Sequence, residues 1–322
     1  MTPTAGSNKV YILNYEYEDL SFERDRLAAA GLELVPAHCP TEEDVAAIAS
    51  DAVGIINVYA SIRAVAAAAL TQCRVIVRPG VGYDMIDVAA CRSHGIEVCN
   101  VPDYCTEEVA DHAVALAMAL QRKIVLHHRN VAQGAWNYQL VGPVHRLSGL
   151  TVGLAGFGRI GRAFAARMAG MTSHLIAYDP FVSDETFDAA GVRRVDLETL
   201  LAESDILSLH MPLTPQNHHM VSAASIATMA RRPIIVNVSR GGLIDTAALV
   251  DALRSGAVAA AGLDVLESEP EVPPELLALE NVIITPHTAM FSEEAMLEDR
   301  TRAVDEVIRV VQGEPPRNPV PA

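Results

Sequence analysis

The chain has 322 residues, half of them hydrophobic, and 24 lysines and arginines against 40 aspartates and glutamates, a formal charge of −16. Such a length exceeds what one core usually organises, so two domains are expected. The acidic excess argues against sequence-independent binding to nucleic acid or to an anionic membrane surface. Five cysteines, Cys39, Cys73, Cys91, Cys99 and Cys105, are odd in number and lack CxxC spacing. They point to free buried thiols in a reducing cytoplasm rather than to disulfides or a zinc site. Met1 to Lys9 is polar, without the apolar stretch of a secretory leader, and no run reaches the length of a membrane span.

In chain order, residues 10–13, 32–36, 53–58, 75–78 and 96–101 read as short strands, with helical patterns such as 22–30 and 62–70 between them. That alternation predicts a parallel sheet covered on both faces. Residues 107–133 read as one long helix ending at Gly134. Next come a strand over 150–155, the glycine run Gly156-Phe157-Gly158-Arg159-Ile160-Gly161, a helix over 162–171 and a strand over 175–178 closed by Asp179. An amphipathic helix is expected from Ser292 to Gly313, followed by a loosely held proline-rich tail, 315–322. Trp136, the only tryptophan, is expected to be buried at a lobe or subunit interface.

The glycine run sits in the context that its chemistry requires. Gly156, Gly158 and Gly161 let backbone approach a pyrophosphate, and the helix N-terminus offers N–H groups to the anion. Asp179 lies 23 residues beyond Gly156, placed to accept ribose hydroxyls and to repel a 2′-phosphate, which favours NAD over NADP. The bland alternative is a tight turn with a solvent-facing aspartate.

Three later segments each end an apolar run with a reactive side chain. Arg240 follows 234–238, where a guanidinium suits a carboxylate through a bidentate fork. Asp264, Glu267 and Glu269 follow the run 261–263, and the residues alone do not choose among them. His287 follows 282–286, placed for proton transfer. Together they suit carbonyl reduction: a cation for the substrate, a proton for its oxygen, and a carboxylate to hold the histidine charged. No metal is expected. The adjacent pairs His127-His128 and His218-His219, read as helix neighbours, would point apart.

At these residues the chain resembles the D-isomer-specific 2-hydroxyacid dehydrogenase family over essentially its whole length, and within it the C-terminal-binding-protein-like branch. The carrying phrases are Arg78-Pro79-Gly80-Val81-Gly82-Tyr83-Asp84, Thr106 to His112, the glycine run, Tyr178-Asp179-Pro180 and Gln216-Asn217-His218-His219. They continue in Ser239-Arg240-Gly241-Gly242, Leu263-Asp264, Glu267-Ser268-Glu269-Pro270 and Thr285-Pro286-His287. The resemblance implies an α/β fold of two domains, with a Rossmann dinucleotide-binding domain (103–290) inserted in a flavodoxin-like substrate domain (1–102 plus 291–322). It assigns Arg240 to the substrate carboxylate, His287 to acid/base work and Glu269 to orienting and charging that histidine. Around NAD it places Gly156, Gly158, Arg159, Ile160, Gly161, Asp179, Thr106, Val238, Asp264 and His287. Around the substrate it places Val81 and Gly82, with Tyr59 and Met290 as candidate specificity walls. Met85 and Met290 depart from the usual asparagine and from the corepressors' tryptophan.

The implied activity is NAD-dependent reduction of a 2-oxo acid to the D-2-hydroxy acid by a cytoplasmic homodimer that binds neither nucleic acid nor membrane. The alternative is an NAD(H)-sensing corepressor-like binding protein with weak dehydrogenase activity.

Overall fold

The computed structural model describes residues 7–321, so the polar start, residues 1–6, lies outside it. Contacts divide the chain into two compact units, one running up to Tyr104 and resuming at Ser292, the other spanning Cys105–Phe291.

In the first unit, β1 (Lys9–Leu13), α1 (Ser21–Ala29), β2 (Glu33–Ala37), α2 (Glu42–Ile48), β3 (Gly54–Asn57), α3 (Ala64–Ala69), β4 (Val75–Arg78), α4 (Val88–Ser93) and β5 (Glu97–Asn100) alternate. The five strands pair in parallel in the order β2-β1-β3-β4-β5. Their near-continuous apolar runs follow from that arrangement, because helices cover both faces. One core lies between the sheet and helices α2, α3 and α4, around Leu13, Ile55, Ile76 and Val98.

In the second unit the elements are α5 (Thr106–Gln121), α6 (Ile124–Ala132), β6 (Val152–Ala155), α7 (Arg159–Met168), β7 (Leu175–Tyr178), α8 (Asp184–Ala190), β8 (Arg193–Arg194) and α9 (Leu197–Glu203). They continue with β9 (Ile206–Leu209), α10 (Ala223–Ile226), β10 (Ile234–Asn237), α11 (Thr246–Ser255), β11 (Ala260–Leu263), α12 (Pro274–Leu277) and β12 (Val282–Ile284). The seven parallel strands run β12-β11-β10-β9-β6-β7-β8. Strand order therefore reverses between β6 and β9, and open α/β sheets bind ligands beyond the carboxyl ends of the strands at such a point.

The last helix, α13 (Glu293–Val311), returns the chain to the first unit. Ser292 caps it by accepting Ala295 N–H at 2.9 Å, and Gly313 ends it at φ 88°. Its apolar face, including Ala303, Val304 and Val307, is buried. A Cβ on Gly54 would come within 2.8 Å of Val307, so β3 needs glycine there for the helix to seat.

Two expectations change. Residues 107–133 form two helices, because Lys123 takes a left-handed conformation (φ 52°) and its ammonium donates to Val141 O, turning the chain. The proline-rich tail is held, not loose. Val320 is buried and its N–H donates to Val98 O at 3.0 Å, while Glu306 accepts the N–H groups of Arg317 and Asn318. The tail thus covers the free edge of β5, a position where proline is tolerated. Trp136 is 89% exposed in the single chain. All five cysteines are buried and free.

Candidate active site

The three glycines after β6 differ in what they permit. Gly156 has φ 98°, and a Cβ there would lie 2.7 Å from the His210 backbone. A Cβ on Gly161 would fall 2.3 Å from Gly156 O, so this glycine lets α7 pack onto the turn. A Cβ on Gly158 would meet nothing within 4 Å. Gly158 is also the N-cap of α7 and supplies no side-chain cap, which leaves the helix N–H groups available to an anion. Arg159 is exposed and Ile160 half-buried on the first turn. Asp179 accepts Phe157 N–H at 2.8 Å and Phe181 N–H at 2.9 Å. It thereby ties the end of β7 to the glycine turn with acceptor capacity to spare.

Under this turn His210 follows directly after β9. Its Nε2 lies 2.8 Å from Ser208 Oγ, and burial pushes the imidazole down to about 3, so it is neutral across the working range. Sequence reading missed it, because a histidine after an apolar run carries no signal of what lies over it.

Arg240 leaves β10 through a turn built by the buried Asn237. The Asn237 amide donates to Arg240 O at 2.9 Å, and its oxygen accepts Ser239 N–H at 3.1 Å. Val238 is buried in this turn. Arg240 Nη1 donates to Ser239 O at 2.7 Å. Gly241 is obligatory, since a Cβ would strike the Leu266 backbone at 1.9 Å. The arginine turn and the loop after β11 are therefore in direct contact.

That loop settles which acid meets the histidine. Glu269 Oε2 accepts from His287 Nδ1 at 2.8 Å, while its Oε1 accepts Leu266 N–H at 2.8 Å. Glu267 instead bonds His219 Nε2 at 2.6 Å and Thr246 N–H at 2.8 Å. Burial pushes Glu267 up, but hydrogen bonds from Thr246 and His219 outweigh it and leave the carboxyl below its ordinary range.

His287 sits at φ 50°, in the left-handed region that residues other than glycine seldom adopt. Asp264 holds it there. The Asp264 carbonyl accepts His287 N–H at 2.8 Å, and its carboxylate accepts Thr285 Oγ at 2.5 Å and the N–H groups of Thr288 and Ala289 at 2.9 Å each. His112 Nε2 lies 3.0 Å from Thr285 Oγ and completes the cluster. Asp264 is almost fully buried, whereas the His287 side chain is 50% exposed, a fixed base under an accessible imidazole.

Thr106 opens α5 in this unit, and Met290 is half-buried three residues after His287. Tyr59, Val81 and Gly82 belong to the first unit, after β3 and β4. Arg78 folds back over Gly80, where a Cβ would meet its guanidinium, and Val81 O accepts Asn100 Nδ2 at 2.7 Å.

With that geometry in place, likeness to known proteins decides the family. Residues 114–289 match the family model for the NAD-binding domain of D-isomer-specific 2-hydroxyacid dehydrogenases. The chain is 40% identical over 255 residues to a glyoxylate reductase of Korarchaeum cryptofilum, spanning 78% of this chain and 76% of that protein. It belongs to the D-isomer-specific 2-hydroxyacid dehydrogenase family. A D-3-phosphoglycerate dehydrogenase of Archaeoglobus fulgidus is 40% identical over 253 residues, 78% of this chain but only 48% of that protein, so the chain spans about half of that longer relative. The holo D-mandelate dehydrogenase of Rhodotorula graminis superposes with TM-score 0.88 at 26% identity, over 99% of both chains. The α/β fold of parallel sheets and the NAD-binding unit expected of this family member are thereby met. Among the described residues no helix is long and apolar enough to cross a membrane.

Proposed function

We propose that the protein reduces a 2-oxo acid to the corresponding D-2-hydroxy acid with NADH. The observation that carries the reading is the His287–Glu269 pair at 2.8 Å, which shares a unit with Arg240 and the open Gly158 turn. Two observations support a dinucleotide here: a Cβ on Gly158 would meet nothing within 4 Å, and Asp179 keeps acceptor capacity that a ribose could use. When bound, the reduced cofactor supplies a hydride to the carbonyl carbon.

The chain's own residues supply the rest. A carboxylate can only accept, so Glu269 fixes the proton on His287 Nδ1 and leaves Nε2 to face the substrate. In reduction Nε2–H gives its proton to the carbonyl oxygen, and in oxidation Nε2 takes it from the hydroxyl. Arg240 holds the substrate carboxylate through its planar fork. Asp264 prevents the histidine turn from relaxing. The names of the relatives favour small polar acids such as glyoxylate. Tyr59, Val81, Gly82 and Met290 are the residues proposed to set the side-chain preference. Placement in the C-terminal-binding-protein-like branch rests on the motif phrases alone.

The test is NADH consumption, with NADPH as control, against glyoxylate, hydroxypyruvate, pyruvate, 2-oxoisocaproate and phenylpyruvate. Turnover of one acid, lost in His287→Gln, supports the enzyme. Tight NADH binding without turnover of any acid would favour the corepressor-like sensor.

A homodimer is proposed as the working form. Ile124, Val131, Trp136, Tyr138 and Leu140 are all exposed from α6 onward, an accumulation of apolar side chains that supports an interface there. A Trp136→Glu variant that sediments as a monomer while the parent is a dimer would support it.

A further inference from the structure

The segment carrying His218 and His219 is a turn, not a helix. His218 N–H bonds back to Thr214 O at 3.1 Å, and His219 takes φ 53°. The expectation that the two rings point apart fails for that reason. They stack with centroids 3.9 Å apart, on the same side of the chain as Glu267. One ligand atom from each of His218, His219 and Glu267 lies within 4.8 Å of the others, and among the described residues this is the one such group of three or more.

We propose that His218, His219 and Glu267 form a binding site for a divalent transition metal of the Zn2+ class. Two imidazoles and a carboxylate are a donor set that Zn2+ takes at about 2.0–2.2 Å, with water completing the tetrahedron. Tetrahedral ligands at that radius stand roughly 3.4 Å apart. Atoms within 4.8 Å of one another need close by only about 1.4 Å at most to reach that spacing, with the His219–Glu267 pair opening from 2.6 Å.

The backbone beneath is rigid: His219 N–H donates to Gly242 O at 2.8 Å, and the Asn217 amide bridges Pro212 O at 2.8 Å and Thr214 N–H at 2.7 Å. His218 and Glu267 are exposed, so an ion can enter. Competing thiols are closed off, since all five cysteines are buried, and burial pushes Cys73 up to about 12 and Cys91 to about 11.

The test is a Zn2+ titration of the full chain by calorimetry, with Co2+ absorption reporting ligand geometry. One saturable ion per chain is expected, with a tetrahedral Co2+ spectrum. His218→Ala and Glu267→Gln should each weaken binding roughly tenfold or more, while His287→Gln, which leaves the trio whole, should not. Variants that melt like the parent in chelator have kept their fold. No saturable binding, equal affinity in His218→Ala, or loss in His287→Gln would overturn the site.

Discussion

Both units are parallel α/β sheets, yet only one carries a dinucleotide grip, and the difference is concentrated in one turn of each. In the first unit, β1 reaches α1 through the seven residues 14–20, all bearing side chains. In the second, β6 reaches α7 through the three residues 156–158, two of them glycine. The short turn puts only three residues between strand and helix and leaves room over Gly158, whereas the longer connection contains no glycine. Strand architecture alone therefore carries no function, which resides in how the strand ends are connected.

The units also differ in how they hold ionisable groups away from water. In the first, Asp299 on α13 is 2% exposed, and burial raises it to about 7 against the pull of Arg78 and the Gly80 N–H. In the second, burial lowers His210 to about 3. For Asp299 the native state holds its proton more tightly than the unfolded chain, so stability falls as pH rises from 3.8 to about 7 and is flat above. For His210 the unfolded chain binds the proton more tightly, so stability falls as pH drops from 6.5 toward about 3. The two groups thus pull stability in opposite directions over an overlapping window, from about pH 4 to 6.5.

The largest expected effect belongs to the second unit's reactive side chain. His287→Gln should lower the reduction rate by roughly 10²–10⁴ with NADH affinity kept, measured by steady-state kinetics and fluorescence titration. Turnover near that of the parent would remove the histidine from its role.

Gly158→Ala sharpens the contrast between turns. The added methyl meets no protein atom, so the melting temperature should hold while NADH binds at least about tenfold more weakly, a step of about 1.4 kcal/mol. Unaltered NADH affinity would mean that the open space over Gly158 is not the pyrophosphate seat.

Asp299→Asn should raise the melting temperature of the first unit by about 5 °C at pH 8. That gain should grow from pH 4 to 7 and level off beyond, as followed by calorimetry. A pH-independent gain would point to packing instead of charge. The smallest effect is expected for His210→Gln, which should flatten the loss of stability between pH 6.5 and 3. An equally steep acid limb would assign that loss to other groups.

Much of this was legible in the residues. The strand runs, the caps of α13 and the glycine turn are local signals, set by side-chain periodicity and by backbone that only glycine permits. Where tertiary contact competes, local reading failed. Lys123 breaks an otherwise continuous helical pattern by reaching Val141, and the tail carries no local sign of its order because its partner, β5, lies more than 200 residues away. His218 and His219 stand in a turn that the local pattern does not distinguish from a helix, because the bond closing it to Thr214 and the contact with Glu267 are set by the fold.

The alternating α/β order, the dinucleotide signature and an arginine, a histidine and nearby acids at strand ends are all legible in the residues, because each is written within a few neighbouring positions. The motif resemblance already points to Glu269 as the partner of His287; tertiary packing adds that Glu267 turns instead to His219, and that the Asp264 carboxylate accepts from Thr285, Thr288 and Ala289 around the histidine turn. Those choices depend on angstrom-scale approach of loops from different strands, which hydrogen bonding enforces and periodicity cannot express.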